Sequence, residues 1–426
     1  MANIVDFGAI GDDKTDNTEI IQNLIDSKKS VYIPKGIFKV KKLVIDNDYT
    51  KIFGEGTLKC NQKLSSQTPF IAINSPVTID DITINGDNKT SKAVEIDEQN
   101  VTINNCEIKN VYASKSDDNA IGIATYKGKV TIRNCHFHHI YAESNNKLSD
   151  EHGASRAIIV GAYDDIDIAD LTTIKGCKFY LITGEEGDCI QAQAKSADIE
   201  KAILIEDCNF SDFSRRAVKL SASNGTVKSC VIKNQSNYKN LFSAISAFGN
   251  EITIIDNIID TYYANGLELG NDDVEEVASN YNIKNNNIVN FKEPNDTNES
   301  YGIIAMNIVN CSIIDNTIYR RGNESHAISI AGCHLLTISN NKITGGQKVA
   351  ISIDKSEYNT NENLVVSKNK LIDSSTKYFM TINNTKNSVF KNNIYKPTPQ
   401  SKVKKAIYFS ENCRNISRLN NGIVRK

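Results

Sequence analysis

Acidic and basic side chains near the middle of the sequence have the types that acid–base chemistry requires. Glu185 and Glu186 stand just before Asp188, and Arg216 and Lys219 follow after about thirty residues. A pair of carboxyl groups can act as acid and base, or as acid and nucleophile, in a hydrolysis. Alternatively, a cation can neutralise an acidic substrate while a base removes a proton from it. The residue types leave both chemistries open.

Asp188 and Arg216 begin copies of a short strand that recurs along the chain. Its second residue is small, its third and fifth are aliphatic and point inward, and its first, fourth and sixth face outward. The copies begin at Asn119, Arg156, Asp188, Arg216, Ser243, Asn265, Tyr301, His326 and Val349. With stacked strands about 4.8 Å apart, Asp188 lies between two arginines, which favour its ionised form. The alternative is a surface ion ladder that only keeps like charges from stacking.

Further polar residues are predicted to contact a substrate beside this ladder: Arg156, Gln191, Gln193, His152 and Glu268. His152 belongs to an insert at residues 141–155, and loops on one face of a solenoid often form binding walls. Glu268 follows Asp188 by three repeats, about 14 Å by stacking. That separation is too large for a catalytic carboxyl pair.

The strands belong to a repeat that runs through the sequence. Its unit is β-branched–x–aliphatic–x–x–(Cys or Asn)–x–aliphatic, the alternation of a strand with one buried face. The Cys or Asn position recurs about every 29 residues, at Cys106, Cys135, Cys177, Cys208, Cys230, Asn257, Asn286, Asn316, Asn341, Asn369, Asn392 and Asn421. Each unit is too thin to bury its own apolar face, so neighbouring units must stack.

This repeat predicts an all-β fold, a right-handed parallel β-helix of about 12–14 coils. Leucine-rich repeats have a leucine frame that is missing here, and propeller blades need about 40 residues or more. We expect residues 1–50 to form an N-terminal capping segment. Residues 51–426 are expected to form the β-helix as one continuous domain.

The repeat also accounts for five of the ten cysteines. Stacking places equivalent side chains about 4.8 Å apart, so Cys106 to Cys230 should form an inward ladder of packed thiols. Asparagine then continues the ladder with amide hydrogen bonds between coils. No C-x-x-C pair occurs, which argues against a zinc site built from cysteines.

Two other groups of residues could bind metal but have simpler interpretations. His136, His138 and His139 surround an inward Phe137 and are interpreted as a solvated strand edge. The acidic segments 164–167 and 272–276 could hold Ca²⁺ through oxygen ligands, although such loops are typically only hydrated. No cofactor is therefore predicted, and Ca²⁺ is the one ion considered.

Composition excludes several functions. The net charge is −2, so no basic excess favours nucleic acid. No apolar run approaches the roughly 20 residues that cross a membrane. The opening residues lack a basic start and an apolar stretch, so no signal peptide is predicted and cytoplasmic synthesis is expected, which suits reduced thiols.

The first forty residues carry a different motif. Val5-Asp6-Phe7-Gly8-Ala9 is followed by Asp16-Asn17-Thr18 at the start of a predicted helix reaching Ile25, with Asp16 or Asn17 as N-cap, and then by the strand and turn Val31 to Gly36. This opening resembles that of the pectate-lyase-like superfamily, which includes family 28-type glycosidases, pectate lyases, alginate C5-epimerases and phage tailspike depolymerases. Its physical role would be to cap the first edge of the solenoid.

The resemblance implies a polysaccharide-degrading enzyme that acts on an acidic bacterial capsular or surface glycan in a groove of the β-helix. Hydrolysis by paired carboxylates among Asp188, Glu185 and Glu186 is the leading hypothesis. Family 28-type hydrolases carry D-D-C-I on this strand, and Gly187-Asp188-Cys189-Ile190 keeps one of the two aspartates.

Two alternatives remain. A polysaccharide lyase or C5-epimerase would use Arg216, Lys219 or His152, although the epimerase Y-V-G and D-P-H motifs are not matched. A non-catalytic glycan-binding tail fibre or adhesin would need no close carboxyl pair. The tailspike resemblance further implies a homotrimer attached to another virion protein, and a possible location in the virion tail.

Overall fold

The computed structural model describes residues 1–114, 119–143, 153–161, 171–193, 203–235, 242–262, 265–270, 277–291, 300–321, 325–345, 348–357, 359–372, 378–399, 401, 403 and 405–424. Their strands stack as coils of a parallel β-solenoid, and this right-handed β-helix fold confirms the predicted fold class. The coils divide into two compact units, the first up to Ala222 and the second from Ser223 onward.

Each coil of the first unit contributes one strand to each of three parallel sheets, which we call A, B and C. Sheet A contains Ala2–Asn3, Ser30–Ile33, Thr50–Gly54, Val77–Asp80, Val101–Asn104, Val130–Arg133, Thr172–Lys175 and Ile203–Glu206. Sheet B contains Asp12–Asp16, Ile37–Val40, Thr57–Cys60, Thr83–Asn85, Glu107–Ala113, His136–Ala142, Lys178–Thr183 and Asn209–Phe210. Sheet C contains Leu43–Ile45, Ile71–Ile73, Lys92–Ile96, Asn119–Thr125, Ala154–Val160, Glu186–Ala192 and Arg216–Leu220.

The second unit repeats this plan in sheets D, E and F. Sheet D contains Gly225–Lys228, Thr253–Ile255, Ala278–Lys284, Ile308–Ile314, His334–Ser339, Asn361–Glu362, Val365–Ser367, Thr385–Lys391 and Arg414–Leu419. Sheet E contains Val231–Asn234, Ile258–Tyr262, Asn287–Phe291, Thr317–Arg321, Lys342–Gly345, Lys370–Ile372, Ile394–Lys396 and Gly422–Ile423. Sheet F contains Ser243–Ala247, Asn265–Gly270, Ser300–Met306, Ser325–Ala331, Ile351–Asp354, Tyr378–Ile382 and Lys405–Phe409.

The short corner between sheets A and B explains the Cys/Asn repeat of the sequence. One residue there adopts a left-handed conformation, for example Asn105 at φ 52° and Asn134 at φ 52°, which asparagine tolerates better than most residues. The next residue turns inward. In the coils from Cys106 to Cys230 it is a cysteine, and the Sγ atoms of Cys106 and Cys135 lie 3.7 and 3.6 Å from the carbonyl oxygens of Ile79 and Ile103 one coil earlier. All ten cysteines are free thiols, and the five that the repeat placed in an inward ladder, Cys106 to Cys230, are buried.

In the second unit, buried asparagines occupy the same corner. The Nδ2 of Asn286 donates to Asn316 Oδ1 (3.0 Å), and Asn286 Oδ1 accepts from Asn257 Nδ2 (2.9 Å). One rung of the predicted ladder was wrong: the buried residue is Asn393, which donates to Asn421 Oδ1 (2.9 Å). Asn392 instead takes the left-handed corner at φ 55°, because the segment before it is shifted by one residue relative to the repeat.

The capping segment combines a 3₁₀ helix, Ile4–Phe7, with one α-helix, α1, Thr18–Ser27. Asp16 Oδ1 accepts from the amide of Thr18 (3.0 Å) at the start of α1. The side chain of Gln22 bonds to both the N–H (3.0 Å) and the carbonyl (2.7 Å) of Val44, as a further strand would. In this way α1 covers an edge of the first coils. Within the described residues, no helix is long and apolar enough to span a membrane.

Candidate functional site

Sheet C of the first unit brings the predicted residues together. Asp188 stands in register between Arg156 and Arg216, as the alignment of the sequence predicted. The alignment was wrong for the earlier coil: Asn119 lies opposite Ala154, and Ile121 lies opposite Arg156. The glycine and alanine spacing that placed Asn119 thus fitted a register two residues away from the true one.

These side chains are buried, whereas the alignment placed them on an exposed outer face. Asp188 is 0% exposed, and Arg156, Arg216 and Gln191 are 4%, 5% and 1% exposed. The Arg156 guanidinium bonds to Glu186 and Gln191 on the adjoining strand instead of extending into solvent. Burying several charged groups close together costs free energy unless opposite charges lie near enough to offset that cost.

The carboxylate of Asp188 faces both arginines without a close hydrogen bond. Its Oδ2 lies 3.9 Å from Nη2 of Arg156 and 3.7 Å from Nη1 of Arg216. Within the described structure, neither oxygen of Asp188 accepts a hydrogen bond, and the same holds for the Nε2 donor of Gln191 and the Oε1 acceptor of Gln193. Buried polar atoms without partners are uncommon in proteins and indicate a place for water or a ligand.

Arg156 is held by Glu186 and Gln191 rather than by Asp188. Its Nη1 donates to the backbone carbonyl of Glu186 (2.6 Å), its Nη2 to the carboxylate (3.2 Å), and its Nε to Gln191 Oε1. The guanidinium plane is therefore fixed from two sides. The Arg156 side chain is thus held rigidly beside Asp188.

Glu186 has a second cationic partner that the sequence analysis left without a role. Its Oε1 accepts from Nη1 of Arg215. Burial alone would raise the pKa of Glu186, but the charges of Arg215 and Arg156 outweigh burial and lower it. The repeat could have predicted this pair, since Glu186 and Arg215 are 29 residues apart, one period of the repeat. Glu185 is half-buried in the turn before the strand.

Lys219 lies opposite Gln191 on the next strand and is half-buried. Burial lowers the pKa of its ammonium group, and the positive charges of Arg216 and Arg156 lower it further. Within the described part of the chain, the Lys219 amine forms no hydrogen bond or ion pair. An amine in this setting is suited to accept a proton.

The remaining predicted site residues are Glu268, Gln193 and His152. Glu268 belongs to the second unit, where its Oε2 accepts from the hydroxyls of Ser243 (3.2 Å) and Ser246 (2.5 Å). Gln193 directly follows the strand of Asp188 and is 8% exposed. His152 and both acidic segments considered for Ca²⁺, 164–167 and 272–276, lie outside the described residues.

One family model matches part of the chain. Residues 1–75 match the family model described as rhamnogalacturonase A/epimerase, pectate lyase-like. The match covers the capping segment and the first coils of the chain. No curated protein matches the sequence.

Solved structures share the fold over nearly the whole chain at low sequence identity. Tailspike protein 3 of bacteriophage CBA120 has a TM-score of 0.53 at 10% identity, over 97% of this chain and 61% of that one. The Dettilon tailspike protein has a TM-score of 0.53 at 15% identity, over 96% and 68%. The A-module of the Azotobacter vinelandii mannuronan C-5 epimerase AlgE6 has a TM-score of 0.50 at 14% identity, over 99% of each chain.

Proposed function

We propose that this protein is a polysaccharide-processing enzyme that acts on an acidic glycan, with Lys219 as its catalytic base. The observation that carries the proposal is the half-buried Lys219 amine, which has a lowered pKa and no partner among the described residues. Beside it lie Arg216 and Arg156, cations that can neutralise a uronate carboxylate. The partnerless polar groups of Gln191 and Gln193 are suited to sugar hydroxyls.

The chemistry would be β-elimination. The Lys219 amine takes the proton on the carbon next to the uronate carboxylate, after an arginine has neutralised that carboxylate. The electron pair forms a carbon–carbon double bond as the glycosidic C4–O bond breaks, and the departing oxygen takes a proton from solvent. A mannuronan C-5 epimerase module shares the fold, and C5 epimerisation begins with the same proton removal.

Hydrolysis by paired carboxylates is less well supported. A glycosidase needs one carboxyl group that stays protonated to serve as acid. The lowered pKa of Glu186 and its bonds to Arg215 and Arg156 oppose that role. Glu185 is the remaining candidate acid near Asp188. A non-catalytic glycan-binding protein is the other alternative.

The test is to incubate the full chain with uronate-containing polysaccharides, following ultraviolet absorbance of unsaturated products together with new reducing ends. We expect both signals, and expect Lys219→Ala to lower kcat by about 10²–10⁴-fold. Lys219→Arg keeps the charge but not a titratable amine, so it should be equally inactive. A small primary amine in solution should partly restore Lys219→Ala.

Lys233→Ala is the matched control, because Lys233 is an exposed lysine on a strand, and its activity should equal that of the wild type. Reducing ends without absorbance, unchanged in Lys219→Ala, would support hydrolysis and direct attention to Glu185. Binding without either product, and without hydrogen exchange at C5, would favour the non-catalytic protein.

The homotrimer and the attachment to another virion protein stay predictions. The two tailspike structures named above share the fold, and we propose on that basis that this chain is also a component of a virion tail.

A further inference from the structure

A cluster of Glu107, His136 and His138 lies on sheet B, apart from the residues proposed for catalysis. Each of the three offers one ligand atom, and these atoms all lie within 4.8 Å of one another. His136 and His138 project from the same side of one strand, because Phe137 between them is fully buried. Glu107 lies directly opposite His136 on the preceding coil. Two histidines and one carboxylate form a known zinc ligand set.

We propose that Glu107, His136 and His138 bind one Zn²⁺ ion, which joins two adjacent coils of sheet B. The fourth coordination position faces solvent, since Glu107 and His136 are only half-buried. The proposal concerns a different sheet from Lys219 and does not depend on the proposed function.

The ligand atoms of Glu107 and His138 already face each other. His138 Nε2 lies 2.9 Å from Glu107 Oε1. The other carboxylate oxygen, Oε2, is occupied by Lys109 Nζ (2.7 Å) and by the hydroxyl of Thr83 (3.1 Å). These contacts orient the carboxylate so that Oε1 is the atom available to a metal. Such outer partners are typical of metal sites.

Contacts with neighbouring side chains also fix the orientation of the His138 ring. Its Nδ1 lies 2.6 Å from Nδ1 of His139, and its ring stacks on Tyr180 with centroids 4.7 Å apart. Without metal, a proton on Nε2 joins His138 to Glu107; when zinc replaces that proton, Nδ1–H of His138 donates to His139 and Nε2 binds the metal. His139 reaches this place because its backbone is left-handed, with φ 54°.

Only a small rearrangement is needed to bind zinc. Donors about 2.0–2.2 Å from a tetrahedral ion are roughly 3.3–3.6 Å from one another. A separation of 4.8 Å therefore needs to shrink by about 1 Å, and the 2.9 Å between Glu107 and His138 needs to grow by about 0.5 Å. Rotation of the half-buried Glu107 and His136 side chains can supply both changes.

The experiment is calorimetric titration of the metal-free full chain with ZnCl₂, together with melting curves with and without zinc. We expect one ion per chain and a higher Tm with zinc, because a ligand that binds the folded state stabilises it. His136→Asn and Glu107→Gln should each weaken binding by at least about tenfold and abolish the Tm increase. His139→Asn, which suits the left-handed backbone, should weaken binding by about 10–100-fold.

His334→Asn is the matched control. His334 is a half-buried strand histidine opposite Glu362 in the second unit, and the described residues near it contain no such three-ligand group. Its zinc affinity should equal that of the wild type. His136→Asn changes a half-buried residue, and its melting curve without zinc checks that it folds. No saturable binding by the wild type, or unchanged binding by a folded His136→Asn variant, would overturn the proposal.

Discussion

At the scale of single residues, Asp188 has the least expected environment. The sequence placed it on an exposed floor between two arginines, and the register is correct. The structure nevertheless buries it completely. A buried carboxylate at 3.7–3.9 Å from two guanidinium groups offsets part of their positive charge and so acts as an electrostatic anchor for them.

We therefore expect Asp188→Asn to destabilise the protein strongly. The substitution keeps the volume but removes the buried negative charge that faces Arg156 and Arg216, and breaking a buried ion pair costs about 3–5 kcal/mol. The urea midpoint and the Tm are the measurements. Asp97→Asn is the control, because the Asp97 side chain is 59% exposed and its ion pair with Lys127 is 3.6 Å long. A shift no larger than that of Asp97→Asn would show that Asp188 does not serve as an anchor.

At the scale of structural elements, the asparagine ladder of the second unit is the clearest contributor to stability. Asn286 Oδ1 accepts from both the backbone amide (3.1 Å) and the side chain (2.9 Å) of Asn257. Its Nδ2 donates to the carbonyl of Ile254 (2.9 Å) and to Asn316 (3.0 Å). One side chain thus satisfies polar groups on three successive coils.

Asn286→Ala should accordingly lower the urea midpoint, because it leaves the buried backbone N–H of Asn257 unpaired and removes one hydrogen bond each from Asn257 Nδ2, Ile254 and Asn316. Each such group costs about 1–3 kcal/mol. The neighbouring Asn287 is exposed on the adjoining strand, and Asn287→Ala should change the midpoint little. Equal effects of the two substitutions would mean that the buried amide bonds do not contribute to stability.

The sequence predicted these elements unevenly, for physical reasons. The Cys/Asn repeat predicted the coils because one inward corner residue occurs per coil, and it failed at Asn392 where neighbouring asparagines made two positions look alike. The predicted register of the stacked coils also correctly put Asp188 between its two arginines. The direction in which a long arginine side chain bends is not encoded in a repeat, so the burial of Arg156 and its bonds to Glu186 could not be predicted.

The histidine cluster shows the same limit. The sequence analysis interpreted His136 and His138 as a solvated strand edge, yet His138 is 6% exposed and bonded to Glu107. Glu107 precedes His136 by 29 residues, one period of the repeat. Searching each candidate ligand one period up and down the chain would have found the pair.

At the scale of the whole molecule, the cysteines test the predicted packing. Nine of the ten thiols are buried, and Cys413 is half-buried. Burial raises the pKa of Cys60 to about 11 and that of Cys333 to about 12, so at neutral pH these thiols stay protonated and unreactive.

A thiol reagent such as DTNB should therefore label at most one cysteine, Cys413, quickly in the native protein and all ten after denaturation. Cys413→Ser should remove the rapid reaction, whereas Cys60→Ser should leave it unchanged. Rapid labelling of several native thiols would contradict the packed ladder. The measurement is the absorbance change with time, with and without denaturant.

The stacked coils of the second unit also have a mechanical consequence. Their sheet hydrogen bonds and their asparagine amide bonds both run from one coil to the next. Tension applied along that direction would load the coils in series, so the weakest junction yields first and the others keep their structure. Each coil that opens would release about 29 residues of chain, or roughly 100 Å of extended length. The unit would therefore lengthen under load in steps, one coil at a time.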